Sequence, residues 1–178
     1  MYQRHQQGFN LVEMLVVMGV MGVLMAMAYP HFLEMMRASE SRRVALLFEQ
    51  ALRDARAQSY INKQDVMICT LDASGACRRE GSQVLTIFYD KNRNNRKDAQ
   101  DEIIYQSAWK VKHGTMLLNT SLHRHYIRYM GDTAKPRGHI GHLRYCSVSE
   151  NPSLSFKVVV NMYGQVRVER GDLVEVGC

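Results

Sequence analysis

Gly8-Phe9-Asn10-Leu11-Val12-Glu13-Met14-Leu15-Val16-Val17 opens a run in which, from Phe9 to Pro30, Glu13 is the single charged side chain. The residues before it are polar and carry Arg4 and His5, so the composition changes abruptly at Gly8. At ~1.5 Å rise per residue, Phe9 to Tyr29 makes a helix of roughly 31 Å, which matches the hydrocarbon thickness of a bilayer. A secretory signal has a shorter apolar core, with the small residue of its cleavage site behind it. Here the small residue, Gly8, stands in front, so cleavage there leaves the span on the mature chain. Glu13 is costly inside hydrocarbon unless it is neutralised or paired, which makes it a functional candidate in its own right. The competing reading is a carboxylate near a helix end that only reaches toward head groups.

Beyond the span, Pro30 removes a backbone donor and predicts a bend. Val44, Leu47, Phe48, Ala51, Leu52 and Ala55 then recur on one helical face, with Arg42, Glu49, Arg53 and Arg56 largely off it. Glu49 and Arg53 are four apart in the favourable order. The spacing predicts a helix that continues to about Ile61, packed on a globular domain by its second half. After Asn62 the pattern changes to short strand-like runs: 65–71, 84–89, 103–109, 126–130, 143–148, 154–161 and 165–168. Turn residues separate them, among them Ser74-Gly75, Asn94-Asn95, Gly131-Asp132 and Tyr163-Gly164. The expected fold class is α+β, a long amino-terminal helix against one or two antiparallel sheets. The divisions are 1–8 leader, 9–36 transmembrane or filament-core helix, 37–61 amphipathic continuation and 62–178 β domain.

At 178 residues the chain holds one domain with an appendage. Its four cysteines, Cys69, Cys77, Cys146 and Cys178, lack the paired C-x-x-C blocks of a zinc site and read as disulfides formed in an oxidising compartment. Three pairings are open; sequence proximity favours Cys69 with Cys77 and Cys146 with Cys178.

The Gly8 to Val17 stretch closely resembles the leader and first helix of type IV pilins and type II secretion pseudopilins, with Asn10 where threonine or serine is more common. The resemblance implies that a prepilin peptidase cuts between Gly8 and Phe9 and methylates the new amino terminus on Phe9. It implies too that Glu13 pairs with the amino group of a neighbouring subunit's first residue. Cys69, the 90–102 turn, the Gly131 and Gly138 region and Gly164-Gln165-Val166-Arg167 extend the likeness to the FimT/FimU minor pilins and their secretion relative GspH. That fold is the type IV pilin fold. The implied partners are the prepilin peptidase, other major and minor pilins and the bacterial inner membrane. The globular domain is expected in the periplasm, and the assembled pilus at the cell surface.

The formal net charge is +6, and its excess is concentrated between Lys112 and Tyr145, where Lys112, Arg124, Arg128, Lys135, Arg137 and Arg144 face the single acid Asp132. Tyr126, Tyr129 and Tyr145 are interleaved with them, a mixture suited to phosphate contact and base stacking. FimT-type pilins bind DNA in natural transformation through a Gly-Arg-x-Arg motif. The matching stretch here has Gln165 for the first arginine, then Arg167 and, beyond it, Arg170. The candidate double-stranded DNA contacts are therefore Arg124, Arg128, Lys135, Arg137, Arg144, Arg167 and Arg170, against a solvated basic face or a surface that docks on other subunits.

No catalytic constellation is present: the sequence has no G-x-S-x-G, no glycine-rich phosphate loop and no H-E-x-x-H. Asp90, Asn92, Asn94, Asp98 and Asp101 fall at the ligand positions of an EF-hand-like calcium loop, with Asn95 in place of the turn glycine. A polar hairpin connection accounts for the same residues, and is preferred to calcium. His123, His125, His139 and His142 read as surface histidines in a basic stretch. No metal and no cofactor is assigned. The sequence thus reads as a minor type IV pilin that initiates or caps a pilus and contacts DNA during uptake. Its rivals are a GspH-like pseudopilin and a DNA-binding module carried by the filament.

Overall fold

The computed structural model describes residues 10–79, 84–172 and 174–178. One helix, α1 (Leu11–Asn62), contributes to two compact units, Met1–Met36 and Arg37–Cys178. In the first, the described residues are helical from Leu11 onward, and Pro30 lies inside the helix without ending it. Leu11, Leu15, Met18, Leu24 and Met25 are all exposed there, and the helix is long and apolar enough to cross a membrane. A helix that is greasy on every side needs lipid or other protein around it.

In the second unit α1 is amphipathic. Val44, Phe48, Leu52 and Ala55 are fully buried, whereas Arg42 and Arg53 are exposed. The chain then forms β1 (Val66–Leu71), β2 (Cys77–Arg78), β3 (Val84–Tyr89), β4 (Glu102–Ala108), β5 (Gly114–Thr120), β6 (Tyr126–Tyr129), β7 (Gly141–Ser147), β8 (Phe156–Val160) and β9 (Val166–Arg170). These make two antiparallel sheets, β2-β1-β3-β4 with β6 also on β1, and β5-β7-β8-β9. β6 pairs with Val66 to Cys69 and β2 with Thr70 and Leu71, so the two share one edge of β1 end to end.

Alternation decides which side chains meet. Val66 and Ile68 of β1 face the main core, where they join the α1 stripe with Ile87, Ile127, Leu143, Phe156 and Val158. Met67, Cys69 and Leu71 point the other way and form a smaller cluster with Phe88. β1 is therefore buried on both faces, which is why its sequence is an apolar run with no polar alternation.

Two strands escape the sequence pattern. β2 is only two residues long, held to β1 by the Cys69–Cys77 disulfide and by a turn in which the Asp72 carboxylate accepts from Ser74 N–H, Ala76 N–H and the Arg78 guanidinium. β5 has Met116, Leu117 and Leu118 in place of β-branched residues, and its partners come from β7. Its first residue must be glycine, because a Cβ at Gly114 would lie 2.6 Å from the Tyr145 ring. The second disulfide, Cys146–Cys178, fastens the end of the chain to β7 across a separation of 32 residues. In the chain-entropy model the two bonds contribute about 2.5 and about 4 kcal/mol, the longer loop more.

A buried acid ties the helix to the second sheet. Glu40 on α1, only 8 % exposed, accepts hydrogen bonds from the backbone N–H of Lys112 (2.8 Å), the N–H of His113 (2.9 Å) and the Tyr145 hydroxyl (2.9 Å). At the next residue, the Ser41 hydroxyl donates to the Leu154 carbonyl at 2.6 Å. Burial by itself raises the Glu40 pKa, but these donors outweigh it and hold the carboxyl below its ordinary 4.5. Stability from this group is present above that value and lost as pH falls through the depressed one. Glu40→Ala is expected to cost roughly 3 kcal/mol in urea unfolding of the Arg37–Cys178 unit, since it strands three donors. Glu40→Gln is expected to flatten the loss of stability below about pH 4.5, which circular dichroism at a series of acidic pH values checks.

Candidate functional site

Glu13 sits in the first turn of α1, just after Asn10, whose carbonyl accepts the Met14 N–H at 3.2 Å. Among the described residues no hydrogen bond or ion pair holds its carboxylate, which is exposed on an apolar helix. Gly8 and Phe9, where the sequence places processing, lie outside the described residues. Chemically, residues 11–30 present one acid on a greasy rod, a handle for a positive group in a low-dielectric setting.

The seven basic candidates do not form one strip. Arg124 and Arg128 belong to β6 and its approach, Lys135 and Arg137 to the β6–β7 connection, and Arg144, Arg167 and Arg170 to the second sheet. Most are engaged internally. The Arg124 guanidinium donates to the Gly138 carbonyl (2.9 Å), that of Arg128 to the Asn95 side chain (2.8 Å), and that of Arg170 to the Ser153 carbonyl (3.4 Å). Arg144 bonds the Gly177 carbonyl, Arg137 pairs with Asp132, and Arg167 pairs with Glu169. Lys135 stands over the Tyr163 ring, 5.8 Å from its centre.

Arg124 and Arg128 both converge on His139, which is 3 % exposed and stacked on Tyr126 with ring centres 5.3 Å apart. Burial first, then the two guanidinium charges, push its pKa down to about 4. The imidazole is neutral at pH 7 and accepts from arginine. His142 on β7 lies 3.3 Å from the Asn119 side chain, and burial lowers its pKa as well.

Tertiary structure adds cations that the sequence stretch 112–145 did not include. Lys63 and Arg93 join Arg128 and Arg137 around a hollow of about 580 Å³, with Asp65 and Asp132 as the acids in its lining. A second, larger groove of about 990 Å³ brings together Arg53 and Arg56 of α1 with Arg167 of β9. In sequence, only the i, i+3 spacing of Arg53 and Arg56 hinted that they share a face.

The 90–102 turn joins β3 to β4 and is closed by its own groups. The Asp90 carboxylate, 3 % exposed, accepts from Asn94 N–H and Asn95 N–H at 3.1 Å each. Asp101 accepts from Lys91 N–H (3.2 Å) and Asp98 N–H (2.9 Å), and Asp98 accepts from the Asn92 and Asn94 amides at 2.7 Å each. Among the described residues no group of three or more His, Cys, Asp or Glu is placed to hold a metal.

A bilayer-length apolar helix carrying one acid, continued by an amphipathic half under two antiparallel sheets, defines the class of membrane-anchored pilin-like subunits. Sequence comparison agrees. The prokaryotic N-terminal methylation motif matches residues 3–29, and the type II transport protein GspH model matches residues 45–164. The latter covers more than half of the chain, and the chain belongs to the GspH family. Members of this class are structural subunits and not enzymes. No curated protein matches the chain by sequence.

Among solved structures, the fold is similar to the type IV minor pilin FimU of Pseudomonas aeruginosa strain PAO1. One crystal form gives a TM-score of 0.57 at 10 % identity, covering 75 % of this chain and 91 % of that one. A second gives 0.54 at 10 % identity, covering 74 % and 94 %. The minor pseudopilin EpsH of the Vibrio cholerae type 2 secretion system matches at a TM-score of 0.49 and 16 % identity, over 74 % of this chain and 97 % of that one. At such identities the likeness is one of fold.

The neutral, buried His139 has a measurable signature. By NMR its ring is expected to titrate near pH 4, well below an exposed histidine, and to move up only part of the way in Arg128→Gln because burial is the larger cause. The unfolded chain binds the proton first, so this group contributes stability above pH 6.5 that is lost as pH falls to about 4.

Proposed function

We propose that this protein is a minor subunit that helps to start or cap a filament of the type IV pilus kind. The inner membrane of a bacterium holds it by α1 until assembly, with Arg37–Cys178 in the periplasm and, later, at the cell surface. Glu13, the lone acid of the apolar span, carries the reading. A prepilin peptidase cuts after Gly8 and methylates Phe9, and the freed amino group of one subunit meets Glu13 of its neighbour. In hydrocarbon a single ion pair outweighs most alternatives open to either charge, so the pair draws the incoming helix into register. The other pilins of the fibre, major and minor, are the partners. A GspH-like role in a type II secretion pseudopilus uses the same handle and differs in which fibre takes up the chain.

Glu13→Leu is expected to leave the chain in the membrane fraction and to lower its recovery in sheared fibres by roughly tenfold or more, the scale of losing ~1.4 kcal/mol or more of pairing. Mass spectrometry of the wild-type chain is expected to find a terminus at N-methylated Phe9. A retained leader, or undiminished incorporation of Glu13→Leu, refutes the reading.

A second reading, contact with double-stranded DNA during uptake, is favoured by the hollow where Lys63, Arg93, Arg128 and Arg137 outnumber Asp65 and Asp132. In gel shifts at low salt, replacing Lys63, Arg93 and Arg137 with alanine is expected to weaken binding about tenfold and to reduce the salt slope by roughly 2–3. Equal affinity of the triple variant removes this reading and leaves the filament role intact.

A further inference from the structure

The groove of about 990 Å³ in the second unit lies between the end of α1 and the start of β9; Arg53, Arg56, Tyr60, Val159, Val166 and Arg167 are among its walls. We propose that it takes an extended, acidic polypeptide segment of another chain, which adds to the sheet as a strand along the free edge of β9.

The backbone of β9 supplies the first part of the argument. Asn161 N–H donates to the Gln165 carbonyl at 3.2 Å, and Gly171 N–H donates to the Ser155 carbonyl at 2.9 Å. These two bonds bracket a regular register in which Val160 opposes Val166 and Phe156 opposes Arg170. In an antiparallel ladder, bonded and non-bonded residues alternate. Arg167 and Glu169 therefore exchange bonds with β8, and Val166, Val168 and Arg170 turn their N–H and C=O groups outward. The Arg170 carbonyl fits this assignment, because it accepts from Val174 N–H at 3.1 Å.

Among the described residues, the outward groups of Val166 and Val168 have no backbone partner. Nor do the described residues of the carboxyl-terminal tail bond to them. Val174 meets β9 at Arg170, the Glu175 carbonyl accepts from Lys157 Nζ on β8 at 3.0 Å, and Cys178 is bonded to Cys146 on β7, so from Val174 onward the tail runs over β8 and β7. An open edge of this kind is a template for one more strand.

Charge identifies the occupant. The groove lining contains Arg53, Arg56 and Arg167 and no aspartate or glutamate. Lys63 lies over the ring of Tyr60, a groove residue, at 4.0 Å, which places a further cation at the rim. Against these stand Glu49 and Glu169, which pair with Arg53 and Arg167. Both arginines are well exposed, and exposed pairs of this sort exchange partners at little cost. A carboxylate-bearing strand satisfies the surplus cations and the strand edge together. Nucleic acid would meet the cations but leave the Val166 and Val168 backbone groups unmatched, and a cationic strand would be repelled.

This inference goes beyond the filament role and does not depend on Glu13 or on processing. Its test uses the full-length, disulfide-bonded chain in detergent micelles, with a fluorescent hexapeptide of alternating glutamate and valine as the probe. Saturating peptide is expected to slow amide exchange at Val166 and Val168 at least tenfold and to leave Arg167 and Glu169 unchanged. Arg53→Glu combined with Arg167→Glu is expected to weaken the peptide at least tenfold with the melting temperature preserved. The proposal is overturned if Val166 and Val168 exchange at the same rate with peptide present. It also fails if an alternating lysine and valine peptide binds equally well, or if duplex DNA protects these two amides and the acidic peptide does not.

Discussion

A single stripe of α1, Val44, Phe48, Leu52 and Ala55, is buried under residues of both sheets, and Glu40 just before it fixes where along the helix the second sheet rests. Hydrophobic burial alone does not set a position, because it is non-directional. A carboxylate that accepts from two backbone N–H groups and one hydroxyl is directional, and its buried donors are expensive to abandon. Glu40 thereby ties three distant parts of the chain together: the helix, the β4–β5 connection and β7. The apolar stripe supplies the energy, and the acid supplies the register.

The same unit shows why a basic sequence is not yet a basic surface. Arg124, Arg128, Arg144 and Arg170 spend their guanidinium groups on carbonyls, an asparagine and a neutral histidine inside the domain. Their long stems and several donors suit them to bridging loops that lack regular hydrogen bonding. The surplus charge that remains is gathered by the fold in two places, the hollow beside Lys63 and Arg93 and the groove beside Arg53 and Arg56. Both recruit cations from outside the basic stretch of sequence.

Seven of the nine strands among the described residues could be read from alternation and turn residues, and the α1 stripe emerged with Val44, Phe48, Ala51, Leu52 and Ala55 in the core, while Ala45 was missed and Leu47 is only partly buried. The misses have definite causes. β5 reads poorly because Met116, Leu117 and Leu118 suit a helix as well as a strand, and pairing with β7 decides the matter. β2 is too short for any pattern to register. Glu40 escaped because, although it falls four residues before Val44 on the buried face, an acid at the end of an apolar stripe reads as a surface residue until its partners, more than 70 residues away, are in place. The five oxygen-bearing residues of the 90–102 turn showed the spacing of a calcium loop. Folded, they serve the turn's own amides.

By itself the sequence determined the features that depend on local order: an apolar span of bilayer length, one acid within it, a glycine in front of it, and the α+β class. These follow from composition and periodicity, which act over a few residues at a time. Only the tertiary structure decided which arginines remain at the surface, which strand edge stays open, and what holds the helix to the second sheet. Those outcomes rest on contacts between residues far apart in the chain, where a side chain's role depends on the partner that folding brings to it.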